Sequence, residues 1–142
     1  MPCVSEAIQK QIDNQIASAN FVDVSTYVGD AKIALFACDV VLAKSGTVTL
    51  EAALIKRPMV VAYKLGRVTH FLLRFLVKSR YFALPNLVLD KELVPEFIQQ
   101  EATPDNLCAA VLRELKRFED DPGYLKGFES VCDSLHENAN VQ

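Results

Sequence analysis

Ser45-Gly46-Thr47, with Glu51 four residues further on, is the stretch of this 142-residue sequence whose residue types and spacing could do chemistry. It sits inside "DVVLAKSGTVTLEAALIKRPMVVAYK". One apolar run, Val40 to Ala43, stops at the triplet, and a second, Met59 to Ala62, starts directly after Pro58. A strand, then Ser-Gly-Thr, then a helix has the geometry of an anion site. The first N–H groups of a helix have no partner inside it. The helix dipole adds about half a positive charge at that end. Gly46 has no side chain to block close approach. Ser45 and Thr47 add hydroxyl donors. A phosphate or diphosphate fits there, at the carboxyl end of a strand, where open α/β sheets bind ligands. Glu51 can accept two hydrogen bonds from ribose hydroxyls beside the phosphates. The plainer reading is capping: Ser-Gly-Thr is ordinary helix-start chemistry, and Glu51 a dipole partner worth about 0.3–1 kcal/mol. On this pattern alone, capping stands ahead.

Other reactive side chains are sparse. Cys3, Cys38, Cys108 and Cys132 stand far apart, with only His70 and His136 to join them, so a structural zinc site is not expected. Scattered cysteines without a signal peptide read as reduced cytosolic thiols, most of them small core residues. His70 has no paired acid in the sequence and reads as a surface or packing residue. A net charge of −3 argues against general binding to nucleic acid. No stretch reaches the roughly 18 apolar residues of a membrane span.

The elements that must position the triplet follow from pattern. Ser5 to Ser18 predicts a helix, capped by Ser5, with Ile8, Ile12 and Ile16 on one face. "NFVDVST" predicts a short strand or extended turn, and Gly29 to Ala37 a helix. "DVVLAKS" predicts a strand buried on both faces, since it is apolar without alternation. Thr47 to Lys56 predicts a helix, and "PMVVAYK" a second buried strand with Pro58 at its first position. Arg67 to Arg80 predicts a helix. "YFALPNLVLD" predicts extended chain, because Pro85 disfavours helix just before it. Lys91 to Glu101 predicts a helical turn or two. "TPDNLCAAVLRELKRF" predicts a helix capped by Thr103, with Pro104 at its first position and Leu107, Val111, Leu112 and Leu115 facing inward. Tyr124 to His136 predicts a last helix. Strands alternating with helices mean an α/β fold with a parallel sheet. Three or four strands fall short of the about six in doubly wound nucleotide-binding sheets, so the expectation is an incomplete Rossmann-like sheet with flanking helices. Residues 1–118 would form the partial nucleotide-sugar-binding domain and 119–142 a carboxy-terminal helix and tail.

The longer strings "LAKSGTVTLEAALIKRPMVVAYK" and "FLVKSRYFALPNLVLDKELVPEFIQ" carry more than the triplet. Together they resemble the carboxy-terminal half of the lipid-A-disaccharide synthase family, from about Val4 to Leu115. That family comprises inverting nucleotide-sugar enzymes of the two-domain GT-B glycosyltransferase fold. The resemblance implies transfer of 2,3-diacylglucosamine from UDP to 2,3-diacylglucosamine 1-phosphate (lipid X), giving lipid A disaccharide 1-phosphate and UDP, with no cofactor and no metal. It implies that Ser45, Gly46 and Thr47 face the diphosphate, Glu51 holds the ribose and Asn86 of "LPNL" lies near the nucleotide sugar. Tyr63 and Lys64 follow the second strand at the sheet's ligand edge. The family's amino-terminal domain, with its acceptor site and general base, and its L-P-G-S-R phosphate segment have no counterpart in the sequence. The expectation is therefore part of an enzyme, inactive alone and without a catalytic residue of its own. Two alternatives remain: another GT-B UDP-N-acetylglucosamine enzyme, and a non-catalytic nucleotide-sugar-binding module.

Arg67, His70, Arg74 and Lys78 form one helical stripe, with Phe71, Leu72, Leu73, Phe75, Leu76 and Val77 filling the rest. One reading is a core helix with a solvated basic face. The other is a membrane-surface helix in which Arg67, Phe71, Arg74, Phe75 and Lys78 touch lipid. Acylated substrates favour the second, and imply a cytoplasmic protein peripheral on the inner membrane. Glu119 to His136 has three open partners: the sheet, the absent domain, or a second subunit in a homodimer. If the stripe binds lipid, an Arg74→Glu, Lys78→Glu variant should sediment less with anionic liposomes than the wild type. Equal sedimentation removes the lipid reading.

Overall fold

A computed structural model of the chain describes residues 1–19, 23–44, 46–64 and 80–139. It divides into two compact units, Met1–Cys38 and Asp39–Gln142.

In the first unit, β1 (Pro2–Cys3) pairs in parallel with β2 (Tyr27–Val28). Helix α1 (Glu6–Ser18) joins them, and α2 (Ala31–Ala37) follows. Ser5 caps α1 as expected, its hydroxyl accepting from the Ile8 N–H at 3.4 Å. Asp30 caps α2 by accepting from the Lys32 N–H at 2.9 Å, so that helix starts after Gly29. Gln9 ties α1 to the approach to β2 by donating to the Thr26 carbonyl and hydroxyl, both at 3.1 Å. No residue of α1 is buried: Ile8 is exposed, and Ile12 and Ile16 are half-buried. The periodicity marked the apolar face correctly but not its cover.

The second unit holds a three-stranded parallel sheet in the order β3-β4-β5. Its strands are β3 (Val41–Lys44), β4 (Met59–Tyr63) and β5 (Glu96–Ile98). Helix α3 (Thr47–Leu54) connects β3 to β4, α4 (Leu84–Leu89) precedes β5, and α5 (Pro104–Asp120) and α6 (Pro122–Ala139) close the chain. β4 is central and apolar throughout, with Met59, Val60 and Val61 buried. Burying side chains of this size contributes about 1.5–3 kcal/mol each. Pro58 and Pro95 each precede a strand and present only a carbonyl. Val41 N–H donates to Pro58 and Val61 N–H to Pro95, at 2.9 and 3.0 Å. Neither position needs the donor that proline lacks.

Several expectations change. β3 is covered on one face only: Val41 and Ala43 are buried, while Leu42 is 56% exposed. Among the described residues it is an edge strand, so an apolar run there does not mean two covered faces. "LPNLVL" is helix α4 rather than extended chain. Pro85 restricts the residue before it, but within a helix's first turn its missing N–H costs nothing. Residues 96–98 form β5, followed by a 3-10 turn at Gln99–Glu101, where helix was expected. On α5 the buried positions are Ala110 and Glu114, with Leu107, Val111 and Leu115 half-buried and Leu112 63% exposed. Of the cysteines only Cys3 is buried; Cys108 is exposed. The Arg67 to Arg80 prediction lies outside the described residues except at its last position.

Helix α6 packs on α3, α4 and α5. Tyr124, Phe128 and Val131 are its buried stripe, the two rings 4.8 Å apart. Gly127 lets Leu93 approach so closely that an added Cβ would lie 2.2 Å from Leu93 Cδ1. The Lys56 ammonium meets the Glu129 carboxylate at 2.8 Å and closes the surface between the end of α3 and α6. Burial raises the Tyr124 phenol above its ordinary range, and the neighbouring Glu114 carboxylate adds to this. The unfolded phenol ionises near pH ~10. Its contribution to stability is therefore complete below that pH and lost as pH rises through and beyond it. Tyr124→Phe should make the alkaline loss of stability shallower, read as urea midpoints between about pH 9 and 11. An unchanged decline removes Tyr124 as its source.

Candidate functional site

The parallel register brings the carboxyl ends of the strands to one edge. Lys44 pairs with Ala62, and Tyr63 with Ile98. Leu42, Lys44, Val60 and Ala62 share a face, since side chains alternate along paired strands. A cleft of about 490 Å³ opens there, lined by Leu42, Ala43, Lys44, Ala62, Tyr63, Lys64, Ala102 and Leu107. Its floor is apolar and its strand ends carry two ammonium groups. The Lys44 Nζ lies 5.6 Å from the centre of the Tyr63 ring, a cation–π distance. Tyr63 in turn stacks on Phe82, with ring centres 6.4 Å apart and planes 27° apart.

Directly beyond Lys44 the chain turns into α3. Gly46 has φ 150° and ψ −171°, a conformation open essentially to glycine alone. No side chain caps α3 among the described residues. Space is open where a Gly46 side chain would stand, with nothing within 4 Å. The Gly46 carbonyl accepts from the Thr49 N–H at 3.1 Å and the Thr49 hydroxyl at 2.7 Å, which fixes the first turn from inside. Thr47 is exposed at the helix start and Glu51 half-buried one turn on. Ser45 lies outside the described residues, as do Arg67, Phe71, Arg74, Phe75 and Lys78.

Of the residues singled out from sequence, Tyr63 and Lys64 line the cleft, and Gly46 and Thr47 open α3 next to Lys44. Asn86 borders a second, smaller cavity of about 150 Å³, with Arg80, Tyr81, Glu92, Glu96 and Ile98. Its side chain is fully buried. Nδ2 donates to the Val94 carbonyl at 2.8 Å and to Glu96 Oε1 at 2.7 Å. Oδ1 accepts from the Leu93 and Val94 N–H groups at 2.8 and 3.0 Å. All four bonding positions of the amide are taken within the fold. Two residues escaped sequence reasoning. Lys44 fell within the predicted strand "DVVLAKS" and was given no role; its signal was its place one residue before the triplet. Glu96 fell within the segment predicted as a helical turn and was given no role, and only the folded chain brings its carboxylate to Asn86, at 2.7 Å, and to the Phe82 N–H, at 2.8 Å.

A parallel α/β sheet with a glycine-led helix start at its carboxyl edge is in keeping with part of a Rossmann-like half of a GT-B fold. A family model described as lipid-A-disaccharide synthetase matches residues 1–125. Curated lipid-A-disaccharide synthases match over the whole chain. That of Pseudomonas aeruginosa (strain LESB58) is 42% identical over 142 residues, 100% of this chain and 37% of the relative. That of Hahella chejuensis is 40% identical over 147 residues, covering 99% of this chain and 36% of the relative. The chain belongs to the lipid-A-disaccharide synthetase family. It spans little more than a third of the length of the curated relatives it matches.

Asn86→Ala should lower stability by about 2 kcal/mol or more, because it strands the buried Leu93 and Val94 N–H groups. Urea unfolding checks this, and a midpoint equal to wild type would mean the amide is not the tie described.

Proposed function

We propose that this chain is the UDP-sugar-binding part of an enzyme that makes lipid A disaccharide 1-phosphate. The enzyme transfers 2,3-diacylglucosamine from UDP to 2,3-diacylglucosamine 1-phosphate and releases UDP. The observation that carries the nucleotide part is the start of α3: uncapped among the described residues, led by Gly46 in an open conformation, and placed after the last residue of β3. Family membership supports the reaction class.

In this reading the diphosphate meets the N–H groups of the α3 start, the Thr47 hydroxyl and the Ser45 hydroxyl. Glu51 accepts from the ribose hydroxyls. Lys44 and Lys64 face charge that builds on the diphosphate oxygens as the sugar bond breaks. Fixed donors and cations aimed at developing charge stabilise it without reorganising. No metal is needed where helix N–H groups and two ammonium groups take that role. In this reading the general base and the acceptor site lie in the part of the enzyme that this chain does not span. Among the described residues no helix is long and apolar enough to cross a membrane. We place the working protein peripherally, on the cytoplasmic face of the inner membrane, because both substrates are acylated.

Glu51→Ala should weaken UDP binding more than about tenfold, the loss of roughly one charge-assisted hydrogen-bond pair. Isothermal titration of UDP against the wild-type and variant chains measures it. Unchanged affinity removes Glu51 from the ribose.

A further inference from the structure

We infer that Glu96 is a positioning residue of the nucleotide-sugar cleft, acting through Phe82 on Tyr63. The inference rests on the UDP reading above and assigns a role to a carboxylate that does not line the cleft.

Two donors converge on Glu96. The Phe82 N–H reaches Oε2 at 2.8 Å and Asn86 Nδ2 reaches Oε1 at 2.7 Å. An ionised carboxylate accepts at both oxygens, whereas an amide accepts at one only. The charge also strengthens both bonds. Glu96 stands at the first position of β5, opposite Val61 of the central strand, so its backbone is fixed by the sheet. Asn86 is locked to the Leu93–Val94 backbone by its own bonds. The carboxylate therefore holds the backbone at Phe82 between two rigid supports, β5 and the Asn86 clamp.

The Phe82 ring is where that restraint reaches the cleft. It stacks on Tyr63, and Lys44 lies over the Tyr63 ring. Tyr63 and Lys44 both line the 490 Å³ cleft. Chemical complementarity makes the arrangement directional: a backbone tie sets Phe82, a ring stack sets Tyr63, and the ring face sets the ammonium group. Glu96 thereby fixes an aromatic surface and a cation that a nucleoside diphosphate would meet. Freeing Phe82 lets both sample other rotamers, and each must then be ordered on binding.

The test separates the link from its consequence. The full chain carries 3-fluorotyrosine, and the Tyr63 fluorine signal is assigned with Tyr63→Phe. Glu96→Gln keeps size but can satisfy only one of the two donors. Phe82→Ala keeps its backbone N–H, and so both Glu96 bonds, while removing the stack. Both variants should shift and broaden the Tyr63 signal and weaken UDP binding by about tenfold. Weaker UDP binding in Glu96→Gln with an unmoved Tyr63 signal overturns the inference, since Glu96 would then touch the ligand from the smaller cavity. Wild-type UDP affinity in Phe82→Ala overturns it too. If the wild-type chain takes up no UDP, the reading of the cleft fails, and the Tyr63 signal still decides alone whether Glu96 governs that ring. If the Glu96→Gln chain does not fold, Glu96→Asp decides by the same two readouts: it keeps the charge but is one methylene too short to hold both the Phe82 N–H and Asn86 Nδ2, and an unmoved Tyr63 signal overturns the inference.

Discussion

The cleft depends on the parallel pairing of β4 with strands on both sides. Parallel ladders align strand ends, so Lys44, Tyr63 and Ile98 finish close to one edge. The pairing also takes up the backbone donors and acceptors of β4, which burial of Met59, Val60 and Val61 requires. Once β4 is fixed, the turn after β3 has to leave the sheet at the same edge. Gly46 makes that turn in a conformation closed to other residues. Lys44, Tyr63 and Lys64 are brought to one cleft by this geometry, not by any attraction among themselves.

Among the described residues, the buried polar side chains of the second unit are Thr49, Asn86 and Glu114, and each has a partner. Asn86 spends its whole amide on the Leu93–Val94 backbone and Glu96. Glu114 is buried on α5 but lies 3.3 Å from Arg113 and 3.6 Å from Arg117. Arg117 also covers the Tyr124 ring at 4.1 Å and donates to the Leu93 carbonyl at 3.2 Å. A buried carboxylate without such partners would cost several kcal/mol, on the order of that seen for unpaired buried ions. Leu93 is thus gripped from two directions, by Asn86 at its N–H and by Arg117 at its carbonyl. The loop that carries the chain from α4 into β5 is as tightly specified as the strands.

Much of the fold was legible. Ser5 and Thr103 cap the helices they were expected to cap, and the two apolar runs around Ser45-Gly46-Thr47 became β3 and β4. Local hydrogen bonding and hydrophobic runs act over a few residues, which is the range a sequence displays directly. What failed has a common cause. Pro85 could begin extended chain or sit in a helix's first turn, and neighbours decided for the helix. Leu42 and Leu112 are apolar and exposed, because coverage depends on what lies opposite, not on the residue. The 96–98 segment is too short to show a period, and its pairing with β4 makes it a strand.

By itself the sequence determined the α/β class, the family, and the strand–glycine–helix turn at Gly46, since each rests on residue types and spacing along the chain. Only the tertiary structure decided that Lys44 joins Tyr63 and Lys64 around one cleft, and that Asn86 is fully bonded within the fold. It alone decided that the Glu96 carboxylate receives both Phe82 and Asn86. These are contacts between residues many positions apart. Strand register and helix packing set them, and no local pattern in the chain encodes a distance across the fold.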